Sequence, residues 1–99
     1  MQYNLSKIKD MCYISVDKTH PEAMQLISIG WVKGTQAAQL KAGDLIMWNY
    51  GSIYQVHEVR AERGRVHCIS SPIGDKCRYE QKFLPHRKLC ILTQQPNKP

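Results

Sequence analysis

Cysteine and histidine side chains are the first candidates for chemistry in this chain, because both bind metal ions and both act in catalysis. The 99 residues include 4 cysteines and 4 histidines. No two cysteines have the Cys-x-x-Cys spacing that structural zinc sites commonly use. His67 and Cys68 are adjacent, so on a strand they would point to opposite faces and would rarely share one ion. We therefore expect neither a metal ion nor another cofactor.

Motifs of the common nucleophilic, phosphate-binding and zinc enzymes are missing from the sequence. It has no Gly-x-Ser-x-Gly turn, no glycine-rich phosphate loop and no His-Glu-x-x-His. A chain of 99 residues also favours one domain with a modest core over two lobes around a deep cleft. We expect a protein that is not an enzyme and whose cysteines are reduced thiols, packed as small apolar side chains.

Positive charge is the strongest compositional signal. The formal net charge is +6, and it is concentrated in the second half of the chain. Residues 51–99 contain nine basic and four acidic residues, whereas residues 1–50 contain five and four. A one-sided positive field attracts polyanions and raises their rate of encounter. The charge distribution therefore favours an anionic partner.

Basic residues recur at one predicted hairpin tip and along one predicted strand. The tip spans residues 60–65, and the strand spans residues 76–83. In that strand Lys76, Arg78, Glu80 and Lys82 share one face, because side chains two apart project together. Nearby tyrosines offer rings on which bases stack. We expect weak, salt-sensitive binding of RNA or DNA, and the candidate nucleic-acid-binding residues are Arg60, Arg63, Arg65, Arg78, Lys82, Tyr50 and Tyr54.

The same residues support an alternative, a protein-interaction module. Trp48, Tyr50 and Tyr54 surround one predicted turn, and Trp and Tyr are preferred anchors in interfaces. An acidic protein partner would suit the charge, and a homodimer through an open edge strand is a subsidiary expectation. A small domain without motifs is also typical of phage or mobile-element accessory proteins. Against both functions, lysines guard sheet edges and large aromatic residues often pack in cores.

A short helix is predicted near the N-terminus, and strands are predicted after it. Thr19 as N-cap, Pro21 in the first turn and Glu22 completing a capping box predict a helix over residues 22–28 that ends before Gly30. From residue 31 the pattern indicates β-structure. Five predicted strands, separated by turn residues, cover residues 45–49, 52–60, 66–70, 76–83 and 88–92.

One stretch resembles a known family. Leu40, Gly43-Asp44 and Ile46 are followed by Gly51 and by Tyr54-Gln55-Val56, and then by a basic hairpin tip and a strand ending in Lys82-Phe83. Over residues 38–92 this is similar to the KOW-like N-terminal domain of translation elongation factor P, which implies an SH3-like barrel. The lysine that is modified in that family is absent, since residues 60–65 contain only arginines as basic residues. We therefore expect the fold and not the role in translation.

The sequence as a whole predicts an α+β chain that is mainly β. A five-stranded SH3-like barrel spans residues 35–92, an extension with the short helix (residues 1–34) packs on it, and residues 93–99 form a disordered tail. No run of about 18 apolar residues suggests a transmembrane helix. Residues 1–10 lack the apolar segment of a secretory signal, so we expect a cytoplasmic protein with no membrane partner.

Overall fold

The computed structural model describes residues 11–94, and this part of the chain is mainly β. Its only helical turn is a 3-10 helix at Ala37–Gln39. None of its helices is long and apolar enough to cross a membrane. The strands are β1 (Met11–Cys12), β2 (Ala23–Leu26), β3 (Gly30–Lys33), β4 (Thr35–Gln36), β5 (Leu45–Met47), β6 (Ile53–Glu62), β7 (Arg65–Pro72), β8 (Tyr79–Phe83), β9 (Lys88–Ile91) and β10 (Thr93–Gln94).

Six of the strands form one sheet in the order β4-β9-β5-β6-β7-β8. Strands β5 to β8 follow one another as antiparallel neighbours, and β9 returns to pair with β5, so that Met47 lies opposite Cys90. The edge strands β4 and β8 do not pair with each other, so the described sheet is not closed into a barrel. Two smaller sheets join β1 to β10 and β2 to β3.

Strand β5 is buried on both of its faces. Its Leu45 and Ile46 are both fully buried. Ile46 packs into one group of buried side chains, the sheet core: Ala37, Leu40, Ile46, Val56, Val66, Cys68, Phe83 and Leu89. Leu45 points the other way into a second group, the hairpin core: Leu26, Val32, Leu45, Cys90 and Leu92. A run of consecutive apolar residues is what a strand covered on both faces requires.

The predicted helix over residues 22–28 is wrong. The segment forms the β2–β3 hairpin, in which Leu26 lies opposite Gly30. Met24 and Leu26 alternate with the exposed Gln25, so the same residues also have the period of a strand. Two isolated helical turns are unstable alone, whereas a hairpin buries Leu26 against β5 and β9. Gly30 does adopt a positive φ of 116°, but it does so after a hairpin turn.

Strand β9 corresponds to the last predicted strand (residues 88–92), and β10 lies at the start of the predicted tail (residues 93–99). Strand β10 pairs with β1 at Cys12 and Thr93, so the first two residues of the predicted tail, Thr93 and Gln94, are paired. Residues 95–99 of that tail and residues 1–10 of the predicted extension lie outside the described residues.

Gly34 joins the β2–β3 hairpin to strand β4 of the large sheet, and it lies close to Met24 of the hairpin and to Lys88 of β9. A Cβ at this position would stand 2.9 Å from Lys88 Cβ and 2.9 Å from Met24 Sδ. We expect Gly34→Ala to lower the free energy of unfolding by about 1–3 kcal/mol, because overpacking forces the backbone or side chains apart. Chemical denaturation measures the change. Ala42→Ser, in an exposed turn, is the control, and a loss of stability no larger for Gly34→Ala than for the control would contradict the crowding.

Candidate functional site

A β-bulge in β6 decides which side chains share a face of the sheet. Val56 lies opposite Ser70, but Glu58 lies opposite Ile69, so His57 is an extra residue. The bulge keeps Val56 and Val59 on the face of the sheet core. It places Glu58 and Arg60 on the opposite face, which we call the outer face. A strict alternation through β6 would have assigned the residues after His57 to the wrong faces.

Charges of both signs alternate across the outer face. One row runs from Arg60 through His67 to Lys82, and the next from Glu58 through Ile69 to Glu80. His67 Nδ1 is 3.3 Å from Glu80 Oε2. Arg60 Nε lies 3.4 Å from a carboxylate oxygen of Glu62, which is also on this face. The predicted basic face therefore contains three glutamates among its cations and is not uniformly positive.

The five basic residues predicted to bind nucleic acid do not all lie on one surface. Arg60 and Lys82 share a row of the outer face. Arg63 occupies the β6–β7 turn with a φ of 53°, and Arg65 follows opposite Glu62. Arg78 precedes β8. Arg63, Arg65, Arg78 and Lys82 form no salt bridge within residues 11–94.

Four aromatic rings form a continuous series of contacts, which we call the aromatic row: Phe83, Trp48, Tyr54 and Tyr79. The centroids of Trp48 and Phe83 are 6.2 Å apart, and those of Trp48 and Tyr54 are 6.3 Å apart with the planes at 89°. Tyr54 and Tyr79 follow at 6.4 Å. Edge-to-face and tilted rings at these separations attract one another. The row ends at Tyr79, which is 47% exposed.

Strand register places these rings on the side of the sheet opposite the outer face. Tyr54 pairs with Ile46, a residue of the sheet core. Tyr79 lies opposite Ser70 of the intervening strand β7, and Ser70 is fully buried. A small side chain at this position leaves room for the two tyrosine rings above it. The aromatic row and the outer-face cations are therefore separated by the thickness of the sheet.

The two predicted tyrosines have different surroundings. Tyr54 is part of the aromatic row. Tyr50 is 75% exposed in the turn between β5 and β6 and makes no ring contact with other residues of the described chain. The structure therefore joins Tyr54 to Trp48 and Tyr79 and leaves Tyr50 outside the row.

Arg87 was not among the predicted residues, yet it covers one end of the row. Its guanidinium carbon is 5.3 Å from the Phe83 ring centroid and 6.0 Å from that of Trp48. Cations over aromatic faces are held by the ring quadrupole. The sequence contains only a weak signal for this contact. Leu84-Pro85 ends the strand just after Phe83, and the turn that follows brings Arg87 back towards the Phe83 ring. The turn is closed by Arg87 N donating to Leu84 O at 3.0 Å.

A polar cavity of about 210 Å³ adjoins this end of the row. Trp48 and Arg87 line it together with Met24 and Lys88. Lys88 Nζ donates hydrogen bonds to the carbonyl oxygens of Pro21 and Ala23, each at 3.3 Å. The cation of Lys88 is therefore held near the cavity by backbone dipoles and not by a carboxylate of residues 11–94.

The opposite end of the row carries both signs of charge. Tyr79 is preceded by Asp75, Lys76 and Arg78. The nearby Cys77 and Asp75 raise the pKa of the Tyr79 phenol. Arg78 also acts on His57, whose pKa is lowered first by burial and then by this cation.

Histidine and cysteine side chains are dispersed. Within residues 11–94 no group of three or more His, Cys, Asp or Glu residues is placed to hold a metal ion. His57 Nε2 shares a hydrogen bond of 2.6 Å with Ser71 Oγ. All four cysteines are free thiols. Cys68 and Cys90 lie in the two cores, and Cys77 is exposed.

The chain matches no protein-family model, no curated protein and no solved structure in the comparisons made with each. Function must therefore be inferred from the contacts described above.

Thiol labelling should follow burial. Burial raises the pKa of Cys90 to about 11 and also raises that of Cys68. Because the thiolate is the reactive form, an aromatic disulfide reagent at mildly alkaline pH should modify Cys77 rapidly and the two core thiols only after unfolding. Cys12 is only partly buried, so the test uses a Cys12→Ser background, in which Cys77→Ser should remove the fast phase. Equal labelling rates of the core thiols in buffer and in denaturant would contradict this burial.

Proposed function

We propose that this protein is a non-enzymatic binding module that holds an extended, acidic segment of a partner protein along the aromatic row. The observation that carries the proposal is the unbroken contact of four rings with Arg87 at one end, on the side of the sheet away from the mixed charges. Aromatic residues and arginine are the side chains that most often anchor interfaces. Aromatic grooves on small β domains commonly take extended peptides.

Charge favours an acidic segment. Arg87 and Lys88 lie beside the cavity at the Phe83 end of the row. Lys76 and Arg78 precede Tyr79 at the other end. The cations at the Phe83 end, and the two cations that outnumber Asp75 at the Tyr79 end, would steer carboxylates of a bound segment onto the row, and the net charge of +6 would raise the rate of encounter. Trp48, Tyr54 and Tyr79 would supply the apolar contact area between these ends, while the buried Phe83 supports Trp48 from beneath.

We also propose that the fold is related to the SH3-like barrels. The order β9-β5-β6-β7-β8, with the last strand returning beside the first, supports an SH3-like arrangement that is left open between β8 and β4. The resemblance to the KOW-like domain of elongation factor P stays a prediction. We also propose a cytoplasmic location, since compartments that keep thiols reduced suit four free cysteines.

Peptide selection tests the proposal. A displayed library of random linear peptides is selected on the protein, and we expect acidic peptides to be recovered. Tyr79→Ala and Arg87→Ala should each weaken their binding about tenfold or more, because each removes an anchor. In a Trp31→Phe background Trp48 is the sole tryptophan, so its fluorescence should change on titration.

Tyr50→Ala is the matched control for that experiment. It also removes an exposed tyrosine, but one outside the aromatic row, so affinity should stay within about twofold. Thermal unfolding of each variant shows whether the fold is kept. If no peptide is recovered, or if Tyr50→Ala weakens binding while Tyr79→Ala does not, the proposed site is wrong.

Nucleic-acid binding is a second candidate, which one observation favours. Four of the five predicted cations, Arg63, Arg65, Arg78 and Lys82, have no carboxylate partner among residues 11–94. Unpaired cations can neutralise phosphates and release counterions, which produces weak, salt-dependent affinity. The glutamates of the outer face work against this function, because they repel a phosphate backbone.

Salt-dependent titration decides this candidate. Fluorescein-labelled single-stranded RNA and DNA of mixed sequence are titrated at several salt concentrations. If phosphates bind here, Arg63→Gln and Arg65→Gln should each lower the slope of log affinity against log salt by about 1. Lys18→Gln is the control, because Lys18 lies in an exposed turn distant in sequence from Arg63 and Arg65. Absence of binding at low salt would exclude the function.

A further inference from the structure

Strand β8 has an open edge. Tyr79–Phe83 pair with β7 on one side. Apart from that pairing, none of the backbone hydrogen bonds among residues 11–94 involves residues 79–83. An unpaired edge is a template for another strand, and natural proteins either obstruct it or use it. The residues on β8 therefore decide which strand could pair there.

We propose that a second copy of this chain pairs with the open edge, β8 against β8, antiparallel and centred on Gln81. In this register Glu80 of each copy faces Lys82 of the other, and Tyr79 faces Phe83. A two-fold interface repeats each contact, so the Glu80–Lys82 pair and the Tyr79–Phe83 pair each occur twice. Opposite charges directly across strands stabilise a sheet, and Glu80 and Lys82 are both exposed. The Phe83 ring is only 3% exposed, so the charge pairs carry the interaction. The proposal is independent of the peptide-binding function.

The neighbouring registers are unfavourable. Residues on the same face must lie opposite each other, so the two-fold axis can pass only through a residue position. Centring on Glu80 would oppose two glutamates and would place Arg78 against Lys82. Centring on Lys82 would oppose two lysines. Like charges directly opposite each other destabilise a strand pair, so of these three registers only the one centred on Gln81 opposes unlike charges.

Gln81 supplies a second, separate observation. Its Oε1 atom is buried and has no hydrogen-bond partner in the described chain. Buried side-chain oxygens are rarely left without a donor, because each loses its bonds to water. In the proposed register Gln81 faces Gln81 of the second copy; the oxygen is enclosed in the single chain, so the side chain must rotate outward on pairing before an amide N–H of the second copy donates to it. The symmetry then supplies a donor for both copies.

The outer-face charges continue across the proposed junction. The row of Arg60, His67 and Lys82 would gain Glu80 of the second copy, and the row of Glu58, Ile69 and Glu80 would gain its Lys82. Lys82, which forms no salt bridge within the described chain, would thus acquire a carboxylate. Five paired residues per chain make a small interface, so the dimer should be weak and concentration-dependent.

Charge reversal tests the pairing. Sedimentation equilibrium from micromolar to near-millimolar protein should show a monomer–dimer equilibrium. Lys82→Glu alone, or Glu80→Lys alone, should raise the dissociation constant about tenfold or more, since each creates two like-charge pairs. The double variant E80K/K82E should restore it, because opposite charges face each other again. Lys18→Glu changes the net charge as Lys82→Glu does and should have little effect.

A cross-link tests the register. In a background with Cys12→Ser and Cys77→Ser, which leaves only the two buried thiols, Gln81→Cys should form a disulfide-linked dimer under mild oxidation, because each position 81 faces its counterpart at a separation that a disulfide spans. Lys18→Cys in the same background should not. A protein that stays monomeric at every concentration overturns the proposal, and so does a dimer that the charge reversals leave unchanged or that fails to cross-link at position 81.

Discussion

The burial of β5 on both faces is the constraint on which the other elements depend. Leu45 and Ile46 are each fully shielded from water, on opposite sides of one strand. Burying one such side chain contributes about 1.5–3 kcal/mol, so a large part of the net stability of a small domain is at stake in this short segment. Ile46 is covered by side chains of β6, β7, β8 and β9, and Leu45 is covered by the β2–β3 hairpin. The N-terminal hairpin is therefore a structural part of the sheet that it covers.

The sequence predicted correctly those strands in which the spacing of apolar residues fits only one kind of secondary structure. The consecutive apolar run of β5 and the alternation of β8 correspond to strands, and the turns after β5 and β6 contain glycines at positive φ, Gly51 and Gly64. The pattern failed at residues 22–28, where a capping box and a two-residue period were both present and tertiary burial selected the strand. It also could not reveal the bulge at His57, since an extra residue changes the register without a distinctive residue type. The side of the sheet on which Arg60 lies depends on that bulge.

The aromatic row and the outer-face cations lie on opposite sides of the sheet. Sequence proximity suggested that tyrosines and arginines share one surface, but the register separates Tyr54 from Arg60 by the thickness of the sheet. The residues of the aromatic row come from β6, β8 and the turn after β5, and Arg87 reaches it from a fourth segment. No spacing along the chain encodes such a convergence. Strand β8 contributes to both proposals, through its inner face to the aromatic row and through its open edge to self-pairing.

The two-sided burial of β5 has a consequence for synthesis in the cell. Leu45 and Ile46 emerge from the ribosome long before β9, which supplies Leu89 to one core and Cys90 to the other. Until residues 88–92 have also emerged, a nascent chain carries an apolar strand without its neighbour. Translation proceeds at about 5–20 residues per second, so this exposure lasts for seconds. Chaperones that bind short apolar segments would find one here, and slow codons between β5 and β9 would lengthen the interval in which the chain is prone to aggregate.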